Sequence, residues 1–349
     1  MSDSYDALLV VSFGGPEGPE DVIPFLENVL RGKNVPRQRM LQVAEHYQHF
    51  GGVSPINGQN RELIAALKKE LADHQIEMPI YWGNRNWHPL LADTLRQMQK
   101  DGIQRSLAFM TSAYSSYSGC RQYREDIDRA QREVDAEALQ IDKVRVFYNH
   151  PGFVLPMADR VRAALTEIPP DRHATTHIVY TAHSLPLGMA AGCRYTAQLE
   201  ETCRLVTAQL TDSFSWKLVY QSRSGPPTQP WLEPNVCDYL RGVHETGQYT
   251  DVVVVPIGFI SDHMEILFDL DTEARDLCNE IGLGMVRAST VGTDPRFVSM
   301  IRELVLERTT DAAREYLGAQ GASHDICPQD CCPAGRPSGR PGGPAPLRR

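Results

Sequence analysis

Two short segments place side chains able to transfer protons or bind metals directly after strand-like apolar runs. One is Thr181 to Pro186, where His183 follows the apolar run 178–180. The other is Ser261 to Glu265, which follows the apolar run 252–260. Open α/β sheets bind their ligands at the carboxyl ends of the strands, and a neutral imidazole accepts a proton or binds a metal near pH 7. The two segments therefore predict metal chemistry in a cleft.

A row of carboxylates continues from the second segment. Glu265, Asp269 and Glu273 recur every four residues, so a helix through them would align them on one face. A solvated acidic face is the ordinary explanation of such a row. Here, however, apolar residues dominate the same stretch, and buried carboxylates are unfavourable unless they bind cations or move protons. No lysine or arginine lies between Asp262 and Ala274, so we expect the row to attract a cation.

A third group of candidates lies in the first half of the chain and includes Arg31, His46, Ser54 and Tyr123. Singly, each of these residues is an ordinary surface residue. Jointly they fit a flat anionic ligand, because arginine pairs with carboxylates and aromatic rings pack against a ring face. The glycines of segment 13–19 match neither nucleotide-binding loop pattern, which disfavours a nucleotide-dependent enzyme.

Composition narrows the class of protein. The chain has 349 residues, 42% of them hydrophobic and 23% charged, as in a globular protein with room for about two domains. Its net charge of −9 argues against a nucleic-acid partner. The longest apolar run is about half the length of a transmembrane helix, and the first residues do not resemble a secretory signal. We therefore expect a cytoplasmic protein without a transmembrane segment.

Strand-like and helical patterns alternate from end to end, which predicts α/β architecture with parallel, doubly wound sheets. The predicted strands cover 7–12, 80–82, 106–111, 144–147, 177–181, 216–220 and 251–256. The predicted helices cover 20–30, 60–71, 89–100, 119–133, 197–209, 234–241, 266–280 and 295–307. We predict two similar domains, 1–168 and 169–318, followed by a Cys-containing tail, 319–349, that is rich in Pro, Gly and Arg and disordered over 333–349.

These residues resemble the ferrochelatase family, whose members insert ferrous iron into a porphyrin late in haem synthesis. The resemblance runs from about Asp6 to Val305 and rests on the segments 12–16, 50–55, 182–186, 221–223 with 230–232, and 258–265. It implies an enzyme, a lyase, with two Rossmann-like domains and a porphyrin cleft between them. A cobalt or other tetrapyrrole chelatase of similar fold is the nearest alternative. A haem or metal carrier is the alternative from a different class.

The resemblance also implies roles for individual residues. His183 and Glu265 correspond to the paired catalytic residues, which receive pyrrole protons, bind the metal, or both. Asp269 and Glu273 correspond to an acidic path for metal or protons. Some bacterial members have a tyrosine at the position of Phe13; a phenylalanine cannot bind iron, so we expect Phe13 to pack against the porphyrin.

Segments 50–58 and 117–120 resemble the bacterial branch that uses coproporphyrin, which carries four propionates. In that branch, positions comparable to Arg31, His46, Ser54 and Tyr123 contact propionates. The resemblance therefore favours coproporphyrin III over protoporphyrin IX as the substrate.

Three of the eight cysteines cluster at Cys327, Cys331 and Cys332, and clustered thiols in a reducing compartment indicate a metal centre. Some ferrochelatases carry a C-terminal 2Fe–2S cluster, which needs four thiolates. In animal members the internal ligand lies in a helix that here contains Pro156 and Met157 instead. The fourth ligand would then be Cys120, Cys193 or another cysteine. Adjacent cysteines are awkward ligands for one cluster, so a disordered thiol-bearing tail is the alternative.

Overall fold

The computed structural model describes residues 4–32, 35–226 and 228–335, and its framework is two four-stranded sheets whose strands are all parallel. The first sheet has the order β2-β1-β3-β4, with β1 (Ala7–Ser12), β2 (Ile80–Asn84), β3 (Arg105–Met110) and β4 (Gln140–Lys143). The second has the order β6-β5-β7-β8, with β5 (Thr176–His183), β6 (Trp216–Gln221), β7 (Asp251–Val255) and β8 (Gly284–Arg287). The predicted pair of Rossmann-like α/β units is confirmed.

Helices connect the strands and cover both faces of each sheet. They are α1 (Val22–Leu30), α2 (Arg37–His49), α3 (Ile56–Asp73), α4 (Leu91–Lys100), α5 (Gln122–Glu133), α6 (Pro151–Leu165), α7 (Leu187–Ala190), α8 (Tyr195–Thr207), α9 (Val236–Glu245), α10 (Met264–Phe268), α11 (Arg275–Ile281) and α12 (Pro295–Thr309). Two π-helical segments, Tyr117–Arg121 and Asp269–Ala274, precede α5 and α11. In the part of the chain that the structure describes, no helix has the length and hydropathy needed to cross a membrane.

The sequence misplaced one strand and missed several elements, among them the short helix α7. The prediction of a strand at 144–147 is wrong. The fourth strand is the more polar segment β4, and residues 144–147 are buried but are not part of a strand. The patterns also missed β8, a short edge strand of mixed polarity, and α2, which buries only Met40 and Ala44. Helix α6 was missed because its sequence is apolar without a clear period and contains an internal proline, Pro156.

The two sheets share a continuous core. Helix α6 follows the first sheet in sequence but packs against β7, β8 and α8, whereas α12, the last helix, packs against α3 and α6. One hydrophobic cluster accordingly includes Leu8 and Phe109 from the first sheet and Ile178 and Val253 from the second. A domain boundary at residue 168 remains a prediction.

Contacts between the halves hold the carboxyl ends of the two sheets together. The Tyr114 hydroxyl, just beyond β3, donates a hydrogen bond to the carbonyl of Ile257, just beyond β7, over 2.9 Å. The Asp262 amide donates to the Gln59 side-chain oxygen over 2.8 Å. Polar residues that follow the strands of either sheet therefore meet in one interdomain cleft.

The first part of the tail is folded against the body. The Asn149 side-chain amide donates to the carbonyls of Leu317, at 3.2 Å, and Gly321, at 2.9 Å. The Arg121 guanidinium donates to the Cys331 carbonyl over 3.3 Å. Most of the disorder predicted for 333–349 falls on 336–349, which lies outside the described residues.

A buried ion pair anchors α12, and breaking it should be costly. Arg145 donates to both oxygens of Glu307 over 2.7 and 2.9 Å, and the two side chains are only 0% and 2% exposed. We expect Glu307→Gln to lower the free energy of unfolding by about 3 kcal/mol, because it leaves a buried guanidinium without a counter-charge. Urea denaturation measures the change. The control Asp73→Asn, which breaks an exposed pair with Lys69, should leave the midpoint unchanged; equal effects of both variants would contradict the prediction.

Candidate active site

A histidine and a glutamate face each other at the carboxyl ends of two neighbouring strands. His183 ends β5, and Glu265 lies in the first turn of α10, which follows β7. Because β5 and β7 are adjacent, the His183 Nε2 lies 3.5 Å from the Glu265 Oε1. Solvent reaches 31% and 43% of the two side chains, so both face the cleft.

Hydrogen bonds orient the His183 ring. Its Nδ1–H donates to the Ser184 carbonyl over 2.5 Å, which directs Nε2 towards Glu265. The Tyr195 hydroxyl, on α8, donates to the His183 carbonyl over 3.1 Å and holds the backbone at the end of β5. The ring therefore presents one nitrogen to the cleft in a defined direction.

The two side chains hold each other in their charged forms. Burial opposes a charge on the His183 ring, but the charge and hydrogen bond of Glu265 outweigh it and raise the His183 pKa to about 9. Burial also opposes the Glu265 charge, but His183 outweighs it and lowers the Glu265 pKa to about 2. At pH 7, before a metal ion approaches, the pair is therefore an imidazolium and a carboxylate.

The next carboxyl group along the chain titrates near neutrality. Burial raises the pKa of Asp269 to about 7, with help from the charges of Glu265 and Glu273 and against a hydrogen bond from the Ser222 hydroxyl. Ser222 has a φ of 60°, a left-handed conformation that non-glycine residues adopt rarely. Such backbone strain is concentrated at functional sites. Asp269 can therefore both accept and release a proton at physiological pH.

The acidic row lies on an interrupted helix rather than on the single helix predicted at 266–280. Helix α10 passes into the π-helical segment 269–274, and α11 follows it. A π-helical turn is wider than an α-helical turn, so the four-residue spacing does not stack the carboxylates as an α-helix would. Glu265 and Asp269 are partly buried, whereas Glu273 is exposed. The row consequently leads from the cleft to the surface.

An arginine from elsewhere in the chain neutralises two aspartates beside the row, although no lysine or arginine lies between Asp262 and Ala274. Arg287 of β8 lies 2.7 Å from Asp271 and 3.3 Å from Asp262. The sequence could not show this contact, because β8 itself was missed. Among the described residues, no lysine or arginine forms a salt bridge with the row Glu265, Asp269 and Glu273. In the described part of the chain, Asp269 and Glu273 form no salt bridge, and the partners of Glu265 are the histidines His183 and His263.

Aromatic and basic side chains form the opposite wall of the cleft. Phe13 directly follows β1 and is 37% exposed, and its ring centroid lies 6.2 Å from that of Phe25 in an edge-to-face arrangement. The Arg85 guanidinium lies 5.7 Å above the Phe13 ring and 4.4 Å above that of Tyr123. Arg85 also pairs with the buried Asp126. Sequence reasoning missed Arg85, since an isolated arginine carries no pattern.

The four predicted anion-binding residues differ in accessibility. Arg31 is exposed after α1 and donates to the Asn28 side chain over 2.5 Å. Tyr123 is buried beneath Arg85, and Ser54 is buried, with its amide hydrogen bonded to the Pro16 carbonyl over 2.9 Å. The predicted contacts of Ser54 and Tyr123 with a ligand therefore require side-chain movement and remain predictions.

The fourth residue, His46, links the two halves across the cleft. Its ring, on α2, stacks on Phe268, the last residue of α10, with centroids 3.6 Å apart and planes 9° from parallel. Phe268 immediately precedes Asp269, so the stack lies beside the acidic row. Sequence patterns do not predict this contact, because it joins helices from the two halves of the chain.

A separate group of thiols lies where the tail meets the body. The Sγ atoms of Cys331 and Cys332 are 3.5 Å apart, and the ligand atoms of His324, Cys327 and Cys331 all lie within 4.8 Å of one another. The neighbouring Cys120, together with the charge of Lys143, lowers the pKa of the Cys327 thiol, against the effect of its burial. This donor set suits a thiolate-bound metal centre.

The chain is similar to known proteins of one family. Residues 5–309 match the protein family described as Ferrochelatase. A ferrochelatase of Rhodopirellula baltica is 59% identical, with 94% of this chain and 93% of that protein aligned. A coproporphyrin III ferrochelatase of Streptomyces griseus is 50% identical, covering 95% of this chain and 94% of that protein. Among solved structures, SirB from Bacillus subtilis with Fe3+ shares 12% identity at a TM-score of 0.49, covering 86% of this chain and 96% of that one.

Proposed function

Because the chain belongs to the ferrochelatase family, which inserts iron into a porphyrin in haem biosynthesis, we propose that it is a lyase that converts coproporphyrin III and Fe²⁺ to coprohaem. The observation that carries this function is the charged pair His183–Glu265 at the head of an acidic row that leads to the surface. Support for the coproporphyrin substrate comes from relatives of that name and from the exposed Arg31 beside the cleft. The alternatives are protoporphyrin IX as the ring, and a carrier that binds without chemistry.

The proposed mechanism follows from the charges of the pair. Two N–H protons must leave the porphyrin as Fe²⁺ binds to its nitrogens. The approaching cation opposes the imidazolium charge and lowers the pKa of His183. His183 then releases its proton to the acidic row, accepts the first pyrrole proton, passes it to the row in the same way and accepts the second. Glu265 stabilises the positive charge each time it returns to the imidazole.

The acidic row provides the route for protons, the metal, or both. Glu273 is exposed, and Asp269, which is partly buried, lies between it and Glu265 in sequence. Three carboxylates without an arginine or lysine partner attract a divalent cation, and oxygen ligands release it readily. On the other wall, Phe13 has no donor atom, so its role is packing against the ring face.

The titration of Asp269 should appear in the pH dependence of the enzyme. We expect kcat/KM for iron insertion to rise with pH through an apparent pKa near 7, because only the carboxylate form of Asp269 accepts a proton. The Asp269→Asn variant should insert iron more slowly, and its pH profile should lack this rise near pH 7. Anaerobic assays between about pH 6 and 8 measure it. The control is Asp276→Asn, which changes an exposed residue on α11 and should keep the rise in kcat/KM near pH 7. If the rise persists in Asp269→Asn, Asp269 is not its source.

The substrate proposal can be tested at Arg31. A guanidinium that pairs with a propionate contributes to binding in the ground state and the transition state alike, so Arg31→Ala should raise the KM for coproporphyrin III several-fold with little change in kcat. Arg37→Ala, another exposed arginine, is the matched control. An unchanged KM in Arg31→Ala would remove this residue from the propionate contacts.

We further propose that the tail thiols bind a 2Fe–2S cluster and that the protein works in the cytoplasm. The donor set fits: Cys327, Cys331 and Cys332 lie together, and all eight cysteines are free thiols, as expected of a reducing compartment. A bound cluster supplies one-electron redox chemistry, and iron insertion as derived above involves no step through it. Iron and acid-labile sulfide in the anaerobically purified protein test this proposal.

A further inference from the structure

We propose that His324 is the fourth ligand of the centre in the tail, so that the ligand set is His324, Cys327, Cys331 and Cys332. The inference rests on the cluster proposed above and identifies the residue that completes it. A 2Fe–2S cluster needs four protein ligands, and histidine nitrogen replaces cysteine sulfur in some of these clusters. The tail segment 324–332 then supplies all four ligands.

The distances between the donor atoms support this set. The ligand atoms of His324, Cys327 and Cys331 all lie within 4.8 Å of one another. The His324 Nε2 lies 3.9 Å from the Cys331 sulfur, and the Cys332 sulfur lies 3.5 Å from that of Cys331. Two ligands on one tetrahedral metal, with bonds of about 2.0 to 2.3 Å, lie about 3.5 to 3.8 Å apart. Both measured pairs are therefore close to the separation of ligands that share a metal.

The backbone of the tail brings the cysteines together. The Cys331 amide donates to the Pro328 carbonyl over 3.0 Å, which closes a turn between Cys327 and Cys331. Cys332 has a φ of 53°, a left-handed conformation that is unfavourable for a residue with a Cβ. Such strain is concentrated at functional sites. In this conformation the two adjacent sulfurs approach each other, so adjacent cysteines can serve one centre.

Contacts outside the segment fix both of its ends. Asp325, the residue after His324, forms an ion pair with Arg314, and the Asp325 side chain is only 10% exposed. Near the other end, the Arg121 guanidinium donates to the Cys331 carbonyl over 3.3 Å. The donor atoms are therefore held near one another by contacts that do not depend on a metal, as a preorganised site requires.

The ordinary explanation of His324 is a hydrogen bond to the Cys331 thiol. A 3.9 Å contact is long for a hydrogen bond, whereas it is close to the separation of two ligands on one metal. His324 is exposed, and Cys332 is 3% exposed. The centre consequently has one end inside the protein and one end at the surface, and the imidazole lies at the surface end.

The cysteines of the body are weaker candidates for the fourth ligand. The Cys193 thiol already donates to the carbonyls of Met189 and Ala190, each over 3.4 Å. Cys120 is buried in the π-helical segment 117–121. Among the described residues, the group of metal-binding side chains whose ligand atoms lie within 4.8 Å of one another includes His324 and neither of these cysteines.

The experiment compares the wild-type chain with His324→Ala, His324→Cys and the control His244→Ala, which changes an exposed histidine on α9. All are purified anaerobically at full length. Iron, acid-labile sulfide, visible absorbance and the pulsed electron paramagnetic resonance spectrum of the reduced protein are the readouts. Wild type and His244→Ala should show strong coupling of the cluster to a nitrogen, which isotopic labelling of histidine alters.

The two variants of His324 should differ from each other. His324→Ala should contain several-fold less iron and sulfide per chain, because one ligand is lost. His324→Cys should keep the cluster but lose the nitrogen coupling, because sulfur replaces nitrogen. This second variant separates loss of a ligand from loss of the fold, and circular dichroism checks each protein.

The outcomes also separate the ligand from the cluster. Wild-type iron, sulfide and nitrogen coupling in His324→Ala would overturn the assignment of His324 and leave the cluster in place. Zinc without sulfide in the wild type, lost in His324→Ala, would support the ligand set and overturn the 2Fe–2S proposal. Wild-type protein with neither metal would overturn both.

Discussion

Replacing His183 with alanine should slow iron insertion by a factor of about 10³, the middle to upper part of the range for loss of a general acid–base group. The expected cause is the loss of the nitrogen that faces Glu265 and exchanges protons with the row behind it. Porphyrin affinity should change little, because the imidazole offers only a small part of the cleft wall. Single-turnover insertion under anaerobic conditions measures the rate, and fluorescence titration measures porphyrin binding.

A matched control for this variant is His244→Ala. His244 is exposed on α9, close to where β7 begins, and therefore at the edge of the sheet opposite the cleft. It should retain wild-type rates. Turnover of His183→Ala comparable to that of wild type would remove His183 from the mechanism, and a parallel loss of porphyrin binding would assign it to substrate positioning instead.

Replacing Glu265 with glutamine should reduce insertion by a factor of about 10² to 10³ and should also change the titration of its partner. The Glu265 carboxylate is the strongest influence that raises the His183 pKa to about 9, whereas burial opposes the charged ring. Without that carboxylate, the His183 pKa should fall towards or below the ordinary value for histidine. The imidazole would then be mainly neutral at pH 7, unlike the imidazolium of the wild-type protein.

Nuclear magnetic resonance titration of the histidine side chains tests this second effect independently of turnover. Glu245→Gln, at the exposed end of α9, serves as the control and should leave the His183 titration unchanged. A His183 pKa that stays near 9 in Glu265→Gln would show that the charge of the ring has another source, with Asp269 the next candidate.

The sequence predicted the elements that carry strong periodic patterns. Strands β1, β5 and β7 are buried apolar runs, so their parallel arrangement and the position of His183 and Glu265 at their carboxyl ends followed from general rules for α/β sheets. The pairing of His183 with Glu265 came from the family resemblance, because spacing alone cannot show which strands are neighbours.

Features that depend on tertiary contacts were beyond sequence reasoning. The interruption of the helix at 269–274 leaves no residue-type pattern, since π-helical turns are stabilised by surrounding contacts. The pairing of Arg287 with Asp262 and Asp271 joins an edge strand to residues far away in the chain. For the same reason, the sequence left open which other cysteine accompanies the tail thiols.

The measurement that tests the central claim most directly is anaerobic insertion of Fe²⁺ by the purified protein, with coproporphyrin III and protoporphyrin IX compared side by side. We expect insertion with a higher kcat/KM for coproporphyrin III. A higher value for protoporphyrin IX would contradict the proposed substrate and leave the reaction intact. Tight porphyrin binding with no insertion into either ring would contradict the reaction itself and favour a carrier.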